Sequence, residues 1–441
     1  MKKLISLTAF SISVTAYLWL GYFTARNNFY QLIFLFGILF SVYFIFLKYK
    51  EQFTDLKWLV GVAILFRVIL LFQIPNLSDD YFRFIWDGRI LAHGYNPFLY
   101  LPNEINATTF FKTNNLTQEL FNGLNSKNYY TCYPPVHQLV FGISVWLSPS
   151  SILGSIIVMH VIILLAEIGT MVLLIKLLTQ LGMKKNLFVI YAFNPLVIAE
   201  LTGNLHFEAI VIFFLLLSIY FLVKQKILFS ATAFSLAIGT KLLPLIFLPL
   251  LIKKLGWKKG MLFSIISFAI LSLMFLPFLN IDLIINFSSS INLYFQKFEF
   301  NASFYYLVRW LGYQITGYNI IAQAGIILSA LTFFSITTLA IFRRKTDWMN
   351  LLRAMLFSAT IYFLFATTVH PWYITTLILF SVFSNYKYPI LWSFLIPLTY
   401  ITYQTVPYHK NLWFVAVEYI LVAFVFIKDF SNQHTNKLGV V

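Results

Sequence analysis

Apolar stretches of roughly 20 residues recur along the whole chain, and most of the charge sits in the short segments between them. A helix of about that length crosses the ~30 Å hydrocarbon layer, where every backbone polar group must be satisfied inside the segment. A soluble fold of 441 residues could not bury so many apolar runs. Charged residues are only 10% of the chain, against about 25% in a soluble domain. The pattern predicts an all-α polytopic membrane protein, a single integral domain over residues 1–441 with about 12–14 transmembrane or re-entrant helices.

The formal charge of +16 invites a nucleic-acid partner, but its placement argues against one. Of the 31 Lys and Arg, 20 fall at 2–3, 48–57, 184–185, 224–226, 253–259, 343–353, 387, 428 and 437, between or beside apolar runs. Basic residues gathered in alternate short loops mark the cytoplasmic side. Both termini are then cytoplasmic, and the run at 4–23 reads as a retained helix rather than a cleaved signal. Cys132 is the only cysteine, so no intramolecular disulfide can form.

On this frame, spans near 4–23, 29–47 and 58–75 deliver the chain to the outside at Asn76. An extracytoplasmic loop follows over 76–134, and the segment 135–178 returns inward by a path that the short run 135–149 leaves open. Spans near 187–203 and 207–223 form an out-and-back pair. The segment 227–252 has lysines at both ends, which predicts a broken hairpin with its tip at Lys241–Pro244. Spans near 260–278, 317–342, 350–368, 372–386, 388–404 and 411–428 complete the chain around a second outer loop at 279–316.

With 15 acidic residues in the whole chain, the position of each is informative. They are densest in Ser78-Asp79-Asp80-Tyr81-Phe82-Arg83-Phe84-Ile85-Trp86-Asp87-Gly88-Arg89. As a helix this segment sets Phe82, Ile85 and Trp86 on one side and Asp79, Arg83 and Asp87 at four-residue spacing on another. That predicts an amphipathic helix at the interface, its aromatic face in lipid headgroups. A purely structural reading serves equally well at this point: Ser78 as cap, two acids at the positive helix end, Arg83–Asp87 as a surface pair.

The stretch continues through Gly94-Tyr95-Asn96-Pro97-Phe98, and further motifs follow in order. They are Tyr133-Pro134-Pro135, Asn194-Pro195-Leu196, Gly203-Asn204-Leu205-His206-Phe207-Glu208, Lys241-Leu242-Leu243-Pro244 and His370-Pro371-Trp372-Tyr373. Over residues 76–375 this ordered series resembles the bacterial mannosyltransferase-like members of the GT-C class, multi-span enzymes that take sugars from polyprenyl phosphates. The resemblance implies an inverting transfer of a sugar, mannose by inheritance, to a glycan, lipid or protein acceptor outside the cytoplasm of a bacterial inner membrane. It implies Asp79, and second Asp80, as the base that takes the acceptor hydroxyl proton. Arg83, Arg89, Lys241 and His370 become candidates for the donor phosphate, and Asp87, Asn96, Tyr133, His206, Glu208, Trp372 and Tyr373 for substrate binding.

Each motif also has a structural reading. Lys241 in an apolar run costs about 2.5–3.5 kcal/mol at a helix centre, unless it snorkels. His206 and Glu208 could simply close a turn, Trp372 and Tyr373 could belong to an interfacial aromatic belt, and Tyr133-Pro134-Pro135 could be a rigid helix start. Arg67 and Glu167 are expected to pair across helices. Arg309, Trp310, Tyr305 and Tyr306 form an aromatic-basic patch that either anchors the second outer loop or lines an acceptor groove. Asn106-Ala107-Thr108, Asn115-Leu116-Thr117 and Asn301-Ala302-Ser303 fit the glycosylation triplet.

No zinc-type His/Cys cluster and no Walker or Rossmann glycine loop is present, although Asp79 and Asp80 could hold a divalent cation. A transporter or flippase for a lipid-linked glycan is the rival class, and a noncatalytic assembly subunit is another. Transporters place charge near the midplane with paired broken helices. Here the acids gather in one outer loop and one broken segment is evident.

Overall fold

The computed structural model describes residues 2–52, 55–105, 116–343 and 347–438. Asn106-Ala107-Thr108, Asn115, Arg344 and Lys345 lie outside the described residues. Among the described residues, sixteen α-helices of eight or more residues make up the fold. They are α1 Lys2–Phe23, α2 Phe29–Tyr49, α3 Leu56–Val68, α4 Asp80–Ala92, α5 Pro135–Leu147, α6 Ile152–Gln180, α7 Glu208–Val223 and α8 Ile227–Thr240. After these come α9 Leu248–Leu255, α10 Trp257–Phe275, α11 Ile281–Gln296, α12 Phe304–Thr316, α13 Ile321–Phe342, α14 Trp348–Phe365, α15 Tyr388–Leu395 and α16 Leu412–Leu438. The molecule is an all-α polytopic membrane protein.

Among the described residues, five helices are long and apolar enough to cross a membrane: Phe29–Gln52, Ile152–Gln180, Trp257–Phe278, Ile321–Phe342 and Trp348–Phe365. A further apolar pair, Lys185–Ala192 and Val197–Gly203, is bent by 63° at Asn194-Pro195, the geometry of a broken span or a re-entrant loop. Proline removes a backbone donor there, and the Asn194 side chain accepts from Leu196 N at 3.0 Å and Val197 N at 3.3 Å to restart the helix. Several runs expected as full spans are shorter. The run at 58–75 leaves the helix after Val68, and 372–386 and 388–404 each divide into a short α-helix and a 3₁₀ stretch. Short or broken helices are tolerated at membrane depth when protein rather than lipid surrounds them. Residues 374–383 are accordingly buried throughout.

Charge inside the bundle is neutralised locally. Arg67, fully buried on α3, donates through Nε and Nη2 to Glu167 Oε2 of α6 at 3.0 and 2.8 Å. Its Nη1 donates to the carbonyls of Ala63 and Ala192, and Tyr191 Oη donates to Glu167 Oε1 at 2.6 Å. Arg67 and Glu167 therefore pair as expected. Buried Glu418 on α16 accepts from Trp392 Nε1 at 2.7 Å and from Asn301 Nδ2 at 3.0 Å. The third glycosylation triplet thus has its Asn301 amide enclosed, only 3% exposed.

Two features of the segment that carries α4 differ from expectation. Protein covers every side chain of α4 from Tyr81 to Ile90 except the half-exposed Phe82, so its aromatic face does not meet lipid headgroups. Nor is Arg83–Asp87 a surface pair: the two groups meet at 2.7 Å while 3% and 0% exposed. The helix is amphipathic in pattern, yet both of its faces find protein. α5 packs along it so closely that an ideal Cβ on Gly88 would stand 2.5 Å from the Phe141 carbonyl oxygen. Backbone cannot yield there as a flexible side chain would. Gly88→Ala is expected to cost about 1–3 kcal/mol, seen as a lowered thermal midpoint of the detergent-solubilised protein. An unchanged midpoint would mean the two helices part freely.

The loops read as cytoplasmic contact one another. Lys184 Nζ lies 2.7 Å from Glu51, Asn186 donates to the Lys50 carbonyl, Lys254 sits 4.1 Å over the Trp348 ring, and Lys387 N donates to Asp429.

Candidate active site

The site begins where α3 ends and the chain crosses to the start of α4. Gln73 Nε2 donates to the Gly203 carbonyl at 2.6 Å, and Leu77 N donates to Asn204 Oδ1 at 3.3 Å. These bonds hold the segment before Asp79 against the turn that carries His206. Asp79 occupies the N-cap position of α4 but makes no capping bond. Ser78 Oγ accepts from Asp80 N instead, as the sequence suggested. The Asp79 carboxylate turns to Arg26, whose Nη2 donates at 2.6 Å. That guanidinium lies 4.4 Å over the Tyr403 ring.

Asp80 has a different environment. Asn125 Nδ2 donates to it at 3.3 Å, and it has no ion-pair partner among the described residues. Burial pushes its carboxyl above the usual aspartate range, a shift tempered by the Asn125 bond and by the nearby Lys241 charge.

Lys241 stands where α8 ends. The break expected at Lys241–Pro244 is present: Lys241 is extended (φ −147°, ψ 146°), and Pro244 opens a 3₁₀ turn after it. The extended backbone frees the ammonium from the helix. It forms an ion pair with Glu208 and lies 5.2 Å from the Tyr373 ring centroid. Glu208 is in the first turn of α7, where the helix dipole favours an acid. Its second oxygen, Oε2, is buried without a hydrogen-bond partner among the described residues.

Behind Lys241 four rings form one stack. His206 lies on Trp372 at 3.6 Å and 16°, Trp372 on His370 at 4.3 Å and 5°, and His370 on Phe300 at 4.8 Å and 25°. Burial first, and the Lys241 charge second, push both imidazoles below their usual range. At neutral pH they are therefore hydrogen-bonding groups rather than cations. Both faces of Trp372 are covered, so the ring cannot serve as a stacking platform for a sugar without this stack opening.

The turn that presents His206 is itself irregular. Val197–Gly203 is a π-helical segment, a form that recurs at functional sites. It places Glu200 inward to accept from Tyr400 Oη at 2.6 Å and Asn204 Nδ2 at 3.3 Å, with His206 Nε2 at 3.5 Å. Leu205 next to it has φ 57°, a left-handed conformation costing a leucine on the order of 1–3 kcal/mol.

Of the residues singled out from the sequence, Asp79, Asp80, His206, Glu208, Lys241, His370, Trp372 and Tyr373 come together in this region. Others are held in packing outside it. Arg83 is enclosed, giving its donors to Asp87 and to the carbonyls of Ser126 and Tyr129. Asp87 also accepts from Gln138 at 3.2 Å, and Arg89 is 1% exposed in the last turn of α4. Asn96 caps the 3₁₀ turn Pro97–Leu99 and donates to the Phe278 carbonyl at 2.8 Å. Tyr133 packs with Phe84, His137 and Phe141. Long-range folding is the reason: α5 covers α4, and Arg83 satisfies carbonyls brought to it from Ser126 and Tyr129.

Arg26, Asn125, Tyr403 and Phe300 were not singled out, whereas Glu200, read as reaching the turn or a neighbouring helix, bonds both Asn204 and Tyr400. Arg26 had a legible signal, because it is a basic residue in the turn between α1 and α2, which the charge pattern assigns to the side where basic residues are disfavoured. The others join only through folding. Among the described residues no group of three or more His, Cys, Asp or Glu could hold a metal ion, and Asp79 is already engaged by Arg26.

The model of the alpha-(1->6)-mannopyranosyltransferase N-terminal domain matches residues 6–255. No curated protein and no solved structure matches the chain. The matched span contains Arg26, both aspartates, His206, Glu208 and Lys241, and it covers more than half of the 441 residues. The chain belongs to the alpha-(1->6)-mannopyranosyltransferase family.

Proposed function

We propose that this protein transfers a mannosyl residue, in a single inverting displacement, from a polyprenyl-phosphate carrier to a glycan acceptor on the extracytoplasmic side. Asp80 acts as the general base. The observation that carries the reading is the pairing pattern of the cluster. Arg26 neutralises Asp79 and Glu208 neutralises Lys241, which leaves Asp80 as the carboxylate with proton affinity to use. The order of the two aspartates is therefore the reverse of the one the resemblance suggested.

In the reaction the acceptor oxygen bonds to the anomeric carbon as the bond from that carbon to the phosphate oxygen breaks. The hydroxyl proton passes to Asp80, and the lipid phosphate departs with the bonding pair. Lys241 and Arg26 are the cations available to the charge developing on that phosphate. A lipid-linked donor is supported by a groove of about 650 Å³ lined by Leu245, Ile246, Pro249, Phe333, Ile336 and Phe365 among others. Its lining includes Leu245 and Ile246, just past the Lys241 break in sequence, and Thr367, shortly before His370. The basic loops, which contact one another and contribute none of the cluster's residues, support an extracytoplasmic site in an inner membrane.

The test uses the full chain in nanodiscs, with labelled polyprenyl-phosphate mannose and an α-mannoside acceptor. A new α-linked mannoside is expected. Transfer only from a nucleotide-linked mannose would overturn the donor assignment, and movement of lipid-linked glycan across sealed vesicles without product would replace the enzyme by a transporter.

A further inference from the structure

The matched family model stops at residue 255, yet part of the ring stack comes from beyond it. Phe300 belongs to the short segment between α11 and α12, and that segment is fastened from two sides. On one side it pairs with the chain before His370. Phe300 N donates to the Thr367 carbonyl at 3.0 Å, Val369 N donates to the Phe300 carbonyl at 2.8 Å, and Thr368 Oγ1 donates to the Phe298 carbonyl at 3.1 Å. On the other side stands Glu299. Its Oε1 accepts from Arg309 Nη1 at 2.5 Å and Lys410 Nζ at 2.8 Å. Its Oε2 accepts from Tyr305 Oη at 2.6 Å and Asn319 Nδ2 at 3.3 Å.

One carboxylate thus joins α12, the turn before α13 and the segment before α16. Burial works to raise its pKa, but the Lys410 and Tyr305 bonds and the two cations hold it below the usual glutamate range. Four donors of which two are charged are more than loop anchoring needs. The sequence left Arg309 and Tyr305 open between a loop anchor and an acceptor groove; both bond Glu299.

What the anchor holds is chemically specific. The Phe300 ring lies on His370 and stands 6.1 Å from Tyr403, the ring beneath Arg26. Phe300 therefore touches both halves of the cluster: the imidazole stack behind Lys241, and the tyrosine that supports the partner of Asp79. We infer that Glu299 is a positioning residue for the transfer reaction, setting His370 and Arg26 through Phe300 while touching no substrate itself. Its kinetic arm rests on the transferase reading above; its structural arm does not.

The test is Glu299→Gln, which keeps the shape and removes the charge, alongside Glu299→Asp and Phe300→Leu. Two readouts are needed: steady-state transfer, and hydrogen–deuterium exchange of peptides covering 298–303 and 367–371. For Glu299→Gln the expected result is a fall in kcat of about tenfold or more, with little change in KM and an unchanged thermal midpoint, since small displacements of catalytic groups cost rate. Exchange should rise in both peptides. Glu299→Asp should restore part of kcat, and Phe300→Leu should reproduce the kcat loss on its own.

Wild-type exchange in Glu299→Gln would overturn the inference, as would a rate loss fully explained by a lowered thermal midpoint. If Glu299→Gln fails to fold, a Phe300→Leu variant with wild-type kcat overturns it equally. Should wild-type protein show no transfer from any lipid-linked mannose, the donor reading falls, while the exchange of the two peptides still decides the role of Glu299.

Discussion

Asp80→Asn is expected to lower mannosyl transfer by about 10²–10⁴-fold, the usual contribution of a positioned general base. Asp79→Asn should lose far less, because its partner Arg26 keeps its place over Tyr403 without the carboxylate. The pH dependence separates the two further. Asp80 must be deprotonated to accept a proton, so kcat/KM falls as pH is lowered through its folded-state pKa. Burial raises that pKa, which puts the acidic limb above the range of an ordinary aspartate.

Stability should move the other way. A carboxyl whose pKa is raised on folding is at its most favourable below the unfolded value, and loses that stability as pH rises through the folded value. Removing the charge in Asp80→Asn is therefore expected to raise the thermal midpoint at neutral pH. The gain should vanish in acid, where Asp80 is protonated in both states. An inactive variant with a lowered midpoint at pH 7 would show that Asp80 holds the fold together instead. Equal activity losses for Asp79→Asn and Asp80→Asn would remove the distinction between them.

The second large effect belongs to the Arg67–Glu167 pair. Arg67→Leu is expected to destabilise the protein by about 3–5 kcal/mol, the cost of leaving a buried charge without its partner. Glu167 would then have only Tyr191 to satisfy it. The double variant Arg67→Leu/Glu167→Leu should recover much of the loss, because an apolar pair carries no desolvation penalty. Thermal midpoints in detergent for the single and double variants check this. A double variant as unstable as either single one would mean that the carbonyl bonds from Arg67 to Ala63 and Ala192, rather than the charge pair, hold α3. That matters for the site, since α3 leads directly into the segment before Asp79.

The ordered motifs located most of the cluster, and they did so for a physical reason. Polar residues in a chain this apolar must be enclosed by protein, so His206, Glu208, Lys241 and His370 had few places to go but one another. Arg83 and Arg89, candidates through the resemblance, are instead enclosed by protein. They looked available because the loop was taken to lie at the surface, whereas α5 covers it and Gly88 permits the contact. Trp372 met its expected neighbourhood, although its faces are occupied by two imidazoles. Arg26, Asn125, Glu299 and Phe300 reach the cluster from distant parts of the chain, and no local pattern announces such a meeting.

What the sequence by itself determined is the solvent of each segment: apolar runs for lipid or protein interior, and charge for the short segments between them. Free energies of transfer are local properties of residues, so composition and spacing suffice to read them. The tertiary structure alone decided which charge meets which. Asp79 and Asp80 are adjacent and chemically alike, and they differ because Arg26 reaches one from the first turn while Asn125 reaches the other. Proton affinity depends on neighbours within a few ångströms, and those neighbours are set by packing rather than by order along the chain.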